Sequence, residues 1–127
     1  MEEALRQLLM SSSAVTSLCG QRIDFGGSPQ GAVNPRVVLW TISDRADMTL
    51  DGPSSLSRAR VQIDCYGATF LQAKTLSRAI RAVLDGYAGG GFQGVFLDGV
   101  RDMREGGSDE ADRPYRSSLD FIINFNT

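Results

Sequence analysis

Between Arg58 and Tyr66 the chain alternates with period two. Ala59, Val61, Ile63 and Cys65 lie on one side; Arg58, Arg60, Gln62, Asp64 and Tyr66 lie on the other. Successive side chains of a strand point to opposite faces, so the pattern predicts a strand with an apolar core face and a long, charged, hydrogen-bonding outer face. The same period returns over 115–126, where Leu119, Phe121, Ile123 and Phe125 face inward and Ser118, Asp120, Ile122 and Asn124 outward. RVVLWTIS (36–43) is β-branched and aromatic, with Val38, Trp40 and Ile42 on one face, and predicts another strand. FQGVFLDGVRDMRE (92–105) predicts a fourth, bulged at Gly99. The polar segment DRADMTLDGPSS (44–55) carries a DGP turn signal and joins two of these strands into a hairpin with a long polar tip.

Helical spacing appears three times. Ala4, Leu5, Leu8 and Leu9 predict a short N-terminal helix over 2–10, with Glu2 and Glu3 at the end of the dipole that favours them. The serines at 11–13 cap a second short turn that Gly20 ends. The best-marked helix follows Thr69, which with Gln72 fits a capping box; Phe70, Ala73, Leu76, Ile80, Val83 and Leu84 form its apolar face, and Asp85 and Gly86 close it. The Gly- and Pro-rich stretch 21–36 reads as a loop anchored by Ile23 and Phe25, and 106–113 as an acidic loop. The expectation is a single α+β domain spanning residues 1–127. Its mainly antiparallel four-stranded sheet, with a long hairpin, is packed on one face by one long helix and the short N-terminal helix.

Composition narrows what such a domain does. The 127 residues are 42% hydrophobic and 22% charged, ordinary values for a self-supporting globular core. A formal net charge of −2 argues against nucleic-acid binding as the main task, because phosphate neutralisation calls for a basic surface. No apolar run reaches the ~20 residues that span a bilayer, and the acidic MEEALRQLLM start is unlike a signal peptide, so a cytoplasmic chain without a membrane partner is expected. Cys19 and Cys65 read as buried free thiols, with a disulfide between them left open.

Catalytic chemistry is thin. There is no histidine, which removes the commonest general base and most transition-metal sites. Gly89, Gly91 and Gly94 match G-x-G-x-x-G, but a helix precedes them and a strand follows, the reverse of a dinucleotide-binding turn. Asp98 and Asp102 share a strand face by parity, with Arg101 and Arg104 interleaved; an ionic face suits them better than acid–base work. No catalytic residue, cofactor or metal site is expected. The outward Arg58, Arg60, Gln62, Asp64 and Tyr66 fit either a solvated face or contact with another chain, since Arg and Tyr are favoured in protein interfaces.

Read in order, LCGQRI, NPRVVLWTIS, TLDGPSSLSRARVQIDCYGATFLQAKTLSRAIRAVLDGY and the closing YRSSLDFIINF resemble the tail completion, or tail terminator, proteins of long-tailed bacteriophages, prophages and gene transfer agents. The likeness covers about residues 2–125; the 105–113 stretch has no counterpart in it. It implies a structural virion protein that forms a ring, typically a hexamer. The ring caps the tail tube, meets the head–tail connector, and lets DNA pass through its channel without specific binding. Such a protein would be assembled in the host cytoplasm and end in the virion neck. On that reading the strand edges and Arg58, Arg60, Gln62, Asp64, Tyr66 and Asp120 make subunit contacts. The hairpin tip, including Asp47, Met48, Leu50 and Asp51, reaches a neighbour or the tube. Rival readings are another tail or neck component, such as the tube subunit or an adaptor, and a small α+β ligand-binding oligomer.

Overall fold

The computed structural model describes the backbone of residues 1–49, 52–104 and 114–126. Helices α1 (Glu2–Met10) and α2 (Ser13–Cys19) lead into a short strand β1 (Ile23–Phe25). Then follow β2 (Arg36–Thr49), β3 (Gly52–Gly67), helix α3 (Phe70–Leu84), β4 (Phe92–Arg104) and β5 (Tyr115–Asn126). The strands form one sheet in the order β1-β2-β3-β5-β4. The α+β class stands, but the sheet has five strands and three helices pack on it, which corrects the four-stranded expectation. The additional strand lies inside the stretch read as a loop. Ile23 and Phe25 do anchor it, and they do so by pairing parallel to Val37 and Leu39. Every other pairing is antiparallel.

The core lies between the sheet and the helices. Val37, Leu39, Ala59, Val61, Ile63, Cys65, Leu119, Phe121 and Ile123 meet Leu5, Leu9, Val15, Leu76, Ile80 and Leu84, all essentially inaccessible. Each such aliphatic side chain contributes roughly 2 kcal/mol by leaving water. The α3 cap forms as its sequence indicates: Thr69 Oγ1 accepts from Gln72 N at 3.1 Å. The glutamine side chain in turn accepts from Ala68 N at 2.7 Å, one residue before the cap. Phe70 departs from its expected place on the buried face. It is 51% exposed and meets Tyr115 edge-on, while Ser77 takes a buried position. Being the first residue of α3, Phe70 precedes the turns that lie over the sheet.

The hairpin is also more regular than expected. β2 continues to Thr49 and β3 resumes at Gly52, so most of 44–55 is ribbon, with Pro53 opposite Met48. β3 pairs with β5 only from Leu56 onward. The pairs Met48–Pro53 and Thr49–Gly52 therefore stand beyond the part of β3 that β5 flanks, as a two-stranded arm. Leu50 and Asp51 lie outside the described residues.

Candidate interface on the open face of the sheet

Among the described residues, the helices cover one face of the sheet and leave the other bare. Register fixes what the bare face presents. Reading from β2 across β3 and β5 to β4, one row is Arg36, Tyr66, Arg116 and Met103; the next is Val38, Asp64, Ser118 and Arg101. Then come Trp40, Gln62, Asp120 and Gly99, followed by Ser43, Arg60, Ile122 and Phe96, and finally Arg45, Arg58, Asn124 and Gly94. Three large apolar side chains stand out from this face: Trp40 at 41% exposure, Phe96 at 52%, and Ile42, bulged between the paired Thr41 and Ser43, at 54%. Polar residues surround them.

The polar groups are pre-paired within the sheet. Arg60 Nη1 lies 2.8 Å from Asp98 Oδ2, a bond that holds the guanidinium still more firmly protonated. Arg101 donates to Gln62 Oε1 at 3.2 Å and lies 3.5 Å from Asp120. Gln62 Nε2 donates to both Asp64 oxygens, at 2.9 and 3.2 Å. Ser118 Oγ also donates to Asp64, and Arg116 stands 3.8 Å away. The Arg36 guanidinium stacks over the Tyr66 ring at 4.1 Å. Such cross-linking fixes side-chain rotamers in advance, which lowers the entropy lost when a partner docks.

The residues singled out in the sequence are thereby placed. Arg58, Arg60, Gln62, Asp64, Tyr66 and Asp120 are brought together on this face. Arg58 is exposed; Arg60, Gln62, Tyr66 and Asp120 are half-buried; Asp64 is buried at 1% and faces groups of its own sheet. Asp47 and Met48 belong to the β2 side of the arm, where the register shifts because β3 has two more residues than β2 between the pairs Ala46–Ser57 and Met48–Pro53.

Parity misplaces one pair. Asp98 and Asp102 do not share a face, because the register shifts between Leu97 and Gly99. The bulge anticipated near Gly99 inserts a residue there and reverses the alternation beyond it. Asp98 meets Arg60 on the open face, while Asp102 turns to the helix side. There Asp102 accepts from Lys74 Nζ at 2.8 Å and from Ser117 Oγ at 2.7 Å. The Lys74 bond, helped by Ser117, holds the Asp102 carboxyl below its usual range. A second reversal was not anticipated. The bulge at Ile42 carries Arg45 to the open face, directly opposite Arg58.

The remaining candidates form no reaction centre. Both cysteines are free and buried. Burial pushes the Cys65 thiol well up, helped by the Asp64 charge, and burial likewise raises Cys19. Gly89 and Gly91 adopt positive φ in a tight link between α3 and β4, where Gly89 and Phe92 exchange backbone hydrogen bonds at 2.9 Å. Among the described residues no group of three or more acidic or cysteine side chains could hold a metal ion. No helix of the described residues is long and apolar enough to cross a membrane. The space between sheet and α3, where a ligand pocket would sit, is filled by the core. A shallow groove of about 580 Å³ beside the start of α1 is lined by Glu2, Glu3, Arg6, Asp24, Phe25 and Pro29.

Comparison with known proteins supplies the context for a pre-organised open face. A search of curated protein sequences gave no match. Among solved structures, a chain of the virion of a native gene transfer agent particle superposes with a TM-score of 0.73 at 19% identity. The match covers 100% of this chain and 95% of the other, so the two share a fold. The model of the family described as tail completion protein gp17 matches residues 3–125. The chain thus belongs to the tail completion protein gp17 family, as the order of its sequence features indicated.

Proposed function

We propose that this protein is a tail terminator. Its subunits associate into a hexameric ring that caps the tail tube, meets the head–tail connector and surrounds a channel through which DNA passes. The reading is structural rather than catalytic. It draws on the family's role in tail completion and on the likeness to a chain of a gene transfer agent virion. The observation that carries it is the bare sheet face, where exposed Trp40, Ile42 and Phe96 are set among polar side chains already locked by one another. Exposed aromatic side chains interspersed with Arg and Tyr are the kind of surface that protein interfaces favour. Four long strands about 4.8 Å apart and about ten residues of each give a projected face of roughly 600 Å². With the arm added, this approaches the ~800 Å² per partner of a stable interface. On this reading Arg58, Arg60, Gln62, Tyr66 and Asp120 touch the neighbour and Asp64 holds the row in place. The arm, with Asp47, Met48, Leu50 and Asp51, extends onto the neighbour or the tube.

Native mass measurement across a concentration range, with and without tail tube protein, tests the proposal. The expected species is a discrete hexamer, formed alone or on adding tube protein, and Trp40→Ala should abolish it while leaving the monomer folded. Open-ended tubes would instead identify a tube subunit. A monomer or dimer indifferent to tube protein would overturn the assembly reading.

A further inference from the structure

Residues 26–35 join β1 to β2 and carry Val33, a valine left 60% exposed. The loop is nonetheless tied down along its length. Gly26 N donates to Leu39 O at 2.9 Å and Ala32 N to Pro29 O at 3.1 Å. Arg22 Nε donates to Pro35 O at 2.8 Å. Arg36 reaches back into the loop, with Nε donating to Asn34 Oδ1 at 3.2 Å and Nη1 to Ser28 Oγ at 3.0 Å. An apolar side chain displayed on a loop fixed in this way loses little entropy when a partner covers it.

The surface around this loop carries an excess of carboxylates. Glu2, Glu3 and Asp24, with Arg6 among them, line the groove of about 580 Å³ at the start of α1. A second groove of about 370 Å³ shares Asp24 and Pro29 with the first and includes Val33.

The open face holds a recess of the opposite character. Trp40, Ile42, Gln62, Tyr66 and Arg116 line a cleft of about 470 Å³, with Asp64 beneath them. The charge that this cleft shows to solvent is cationic, because Arg116 is partly exposed whereas the Asp64 carboxylate is buried. The Arg36 guanidinium over the Tyr66 ring adds to it. The loop of the same chain does not fill the cleft, since Val33, Trp40 and Ile42 all stay exposed.

We infer that the Val33 loop of a second copy of this chain docks in the Trp40–Ile42–Tyr66 cleft, with that copy's Glu3 and Asp24 turned toward the arginines of the face. The inference rests on the ring reading and deepens it by naming the surface that the open face meets. A head-to-tail contact joins two different surfaces of one chain, and it closes into a ring by rotation. The loop and the cleft are two such surfaces, matched in shape, in apolar character and in the sign of their charge. Charge of opposite sign fixes the register of a docked pair more than its affinity, whereas the apolar contact supplies the affinity. The rival counter-surface is Leu71, which is also exposed on the first turn of α3. The rival geometry sets two open faces against each other.

The test combines native mass spectrometry with cross-linking, under the condition in which the wild type forms its ring. Val33→Asp should weaken association at least about tenfold while the monomer melts as the wild type does. Leu71→Asp should leave the ring in place. For cross-linking, Val33→Cys subunits and Ile42→Cys subunits are treated with a short bismaleimide, to which the buried Cys19 and Cys65 do not react. The mixture should give linked pairs holding one subunit of each variant, and neither variant alone should give any. Val33→Asp rings like those of the wild type, or an unlinked mixture in intact rings, would overturn the inference and leave the ring reading standing. So would Ile42→Cys subunits linked to one another, which would place face against face, or linked instead to Leu71→Cys subunits. A wild-type chain that never associates, alone or with tube protein, would overturn both.

Discussion

Asp64 separates what holds the open face together from what that face touches. Its carboxylate is buried, accepts from Gln62 and Ser118, and has the Arg116 guanidinium 3.8 Å away. Asp64→Ala deletes the common acceptor of all three. The Ser118 hydroxyl, at 0% exposure, loses its partner where water does not reach, at a cost of about 1–3 kcal/mol. The Arg116 side chain is 23% exposed, so solvent screens part of its loss and the full 3–5 kcal/mol of a broken buried pair is not expected. Together these give a destabilisation of about 3 kcal/mol. For a chain of this length that corresponds to a Tm lower by about 10 °C. Asp64→Asn keeps an acceptor and should lose about half as much. The assay is thermal unfolding followed by circular dichroism, at a concentration low enough to keep the chain monomeric, because association alone raises apparent stability. An unchanged monomer Tm combined with lost assembly would refute the reasoning and make Asp64 a contact residue rather than a framework residue.

Two further perturbations probe the layer beneath that face. A Cβ added at Gly67 would lie 2.5 Å from Ala73 N and 3.0 Å from Thr69 O, so Gly67→Ala must push the first turn of α3 off the sheet; a loss of about 1–3 kcal/mol is expected by denaturant unfolding, and no loss would show that the turn gives way freely. Asp102 titrates below the usual carboxylate value of 3.8 in the folded chain, through Lys74 and Ser117, so its stabilisation is present above that value and is lost as pH falls through the folded pKa. Asp102→Asn should accordingly melt below wild type at pH 7, with the gap closing as acid is added; a gap that persists at pH 2 to 3 would contradict this assignment.

The sequence was most legible where one strand face is purely apolar and the other purely polar. In β3 the alternation from Arg58 to Tyr66 gave both the element and its orientation, because a slip of one residue would bury a row of charges. The α3 cap was legible for a local reason, since Thr69 and Gln72 satisfy backbone groups within their own turn. The failures are tertiary. The three residues of β1 form a strand only because β2 offers them an edge. The polar run DRADMT extends as strand because β3 pairs with it almost along its length. Bulges did the most damage to inference. Parity put Asp98 with Asp102, and a single inserted residue separated them; another, at Ile42, decided the face of Arg45, to which the sequence had assigned none. The cues in the sequence were unequal. Gly99 marked the first bulge, while Ile42, a good strand residue, gave no sign of the second.

Those same bulges bear on how the protein associates. Among the described residues, the outer edge of β2 beyond Leu39 has no strand beside it, and β4 forms the opposite edge of the sheet. An open edge is a template for adding strands, and edge-to-edge pairing would be the simplest route to a ring. Yet β2 carries a bulge at Ile42, and β4 carries two, at Gln93 and Asp98. Bulges twist an edge and break the run of hydrogen-bonding groups that a neighbour would need, which is how natural sheets avoid indiscriminate pairing. The edges are thus guarded, while the face between them presents Trp40 and Ile42 on one flank, Phe96 on the other, polar side chains between them and arginines at its arm end. A partner gains more by covering Trp40, Ile42 and Phe96 than by extending the ladder. Face contact also fixes the orientation of one subunit on the next through side chains, and a closed ring requires that fixed angle whereas continued strand addition does not.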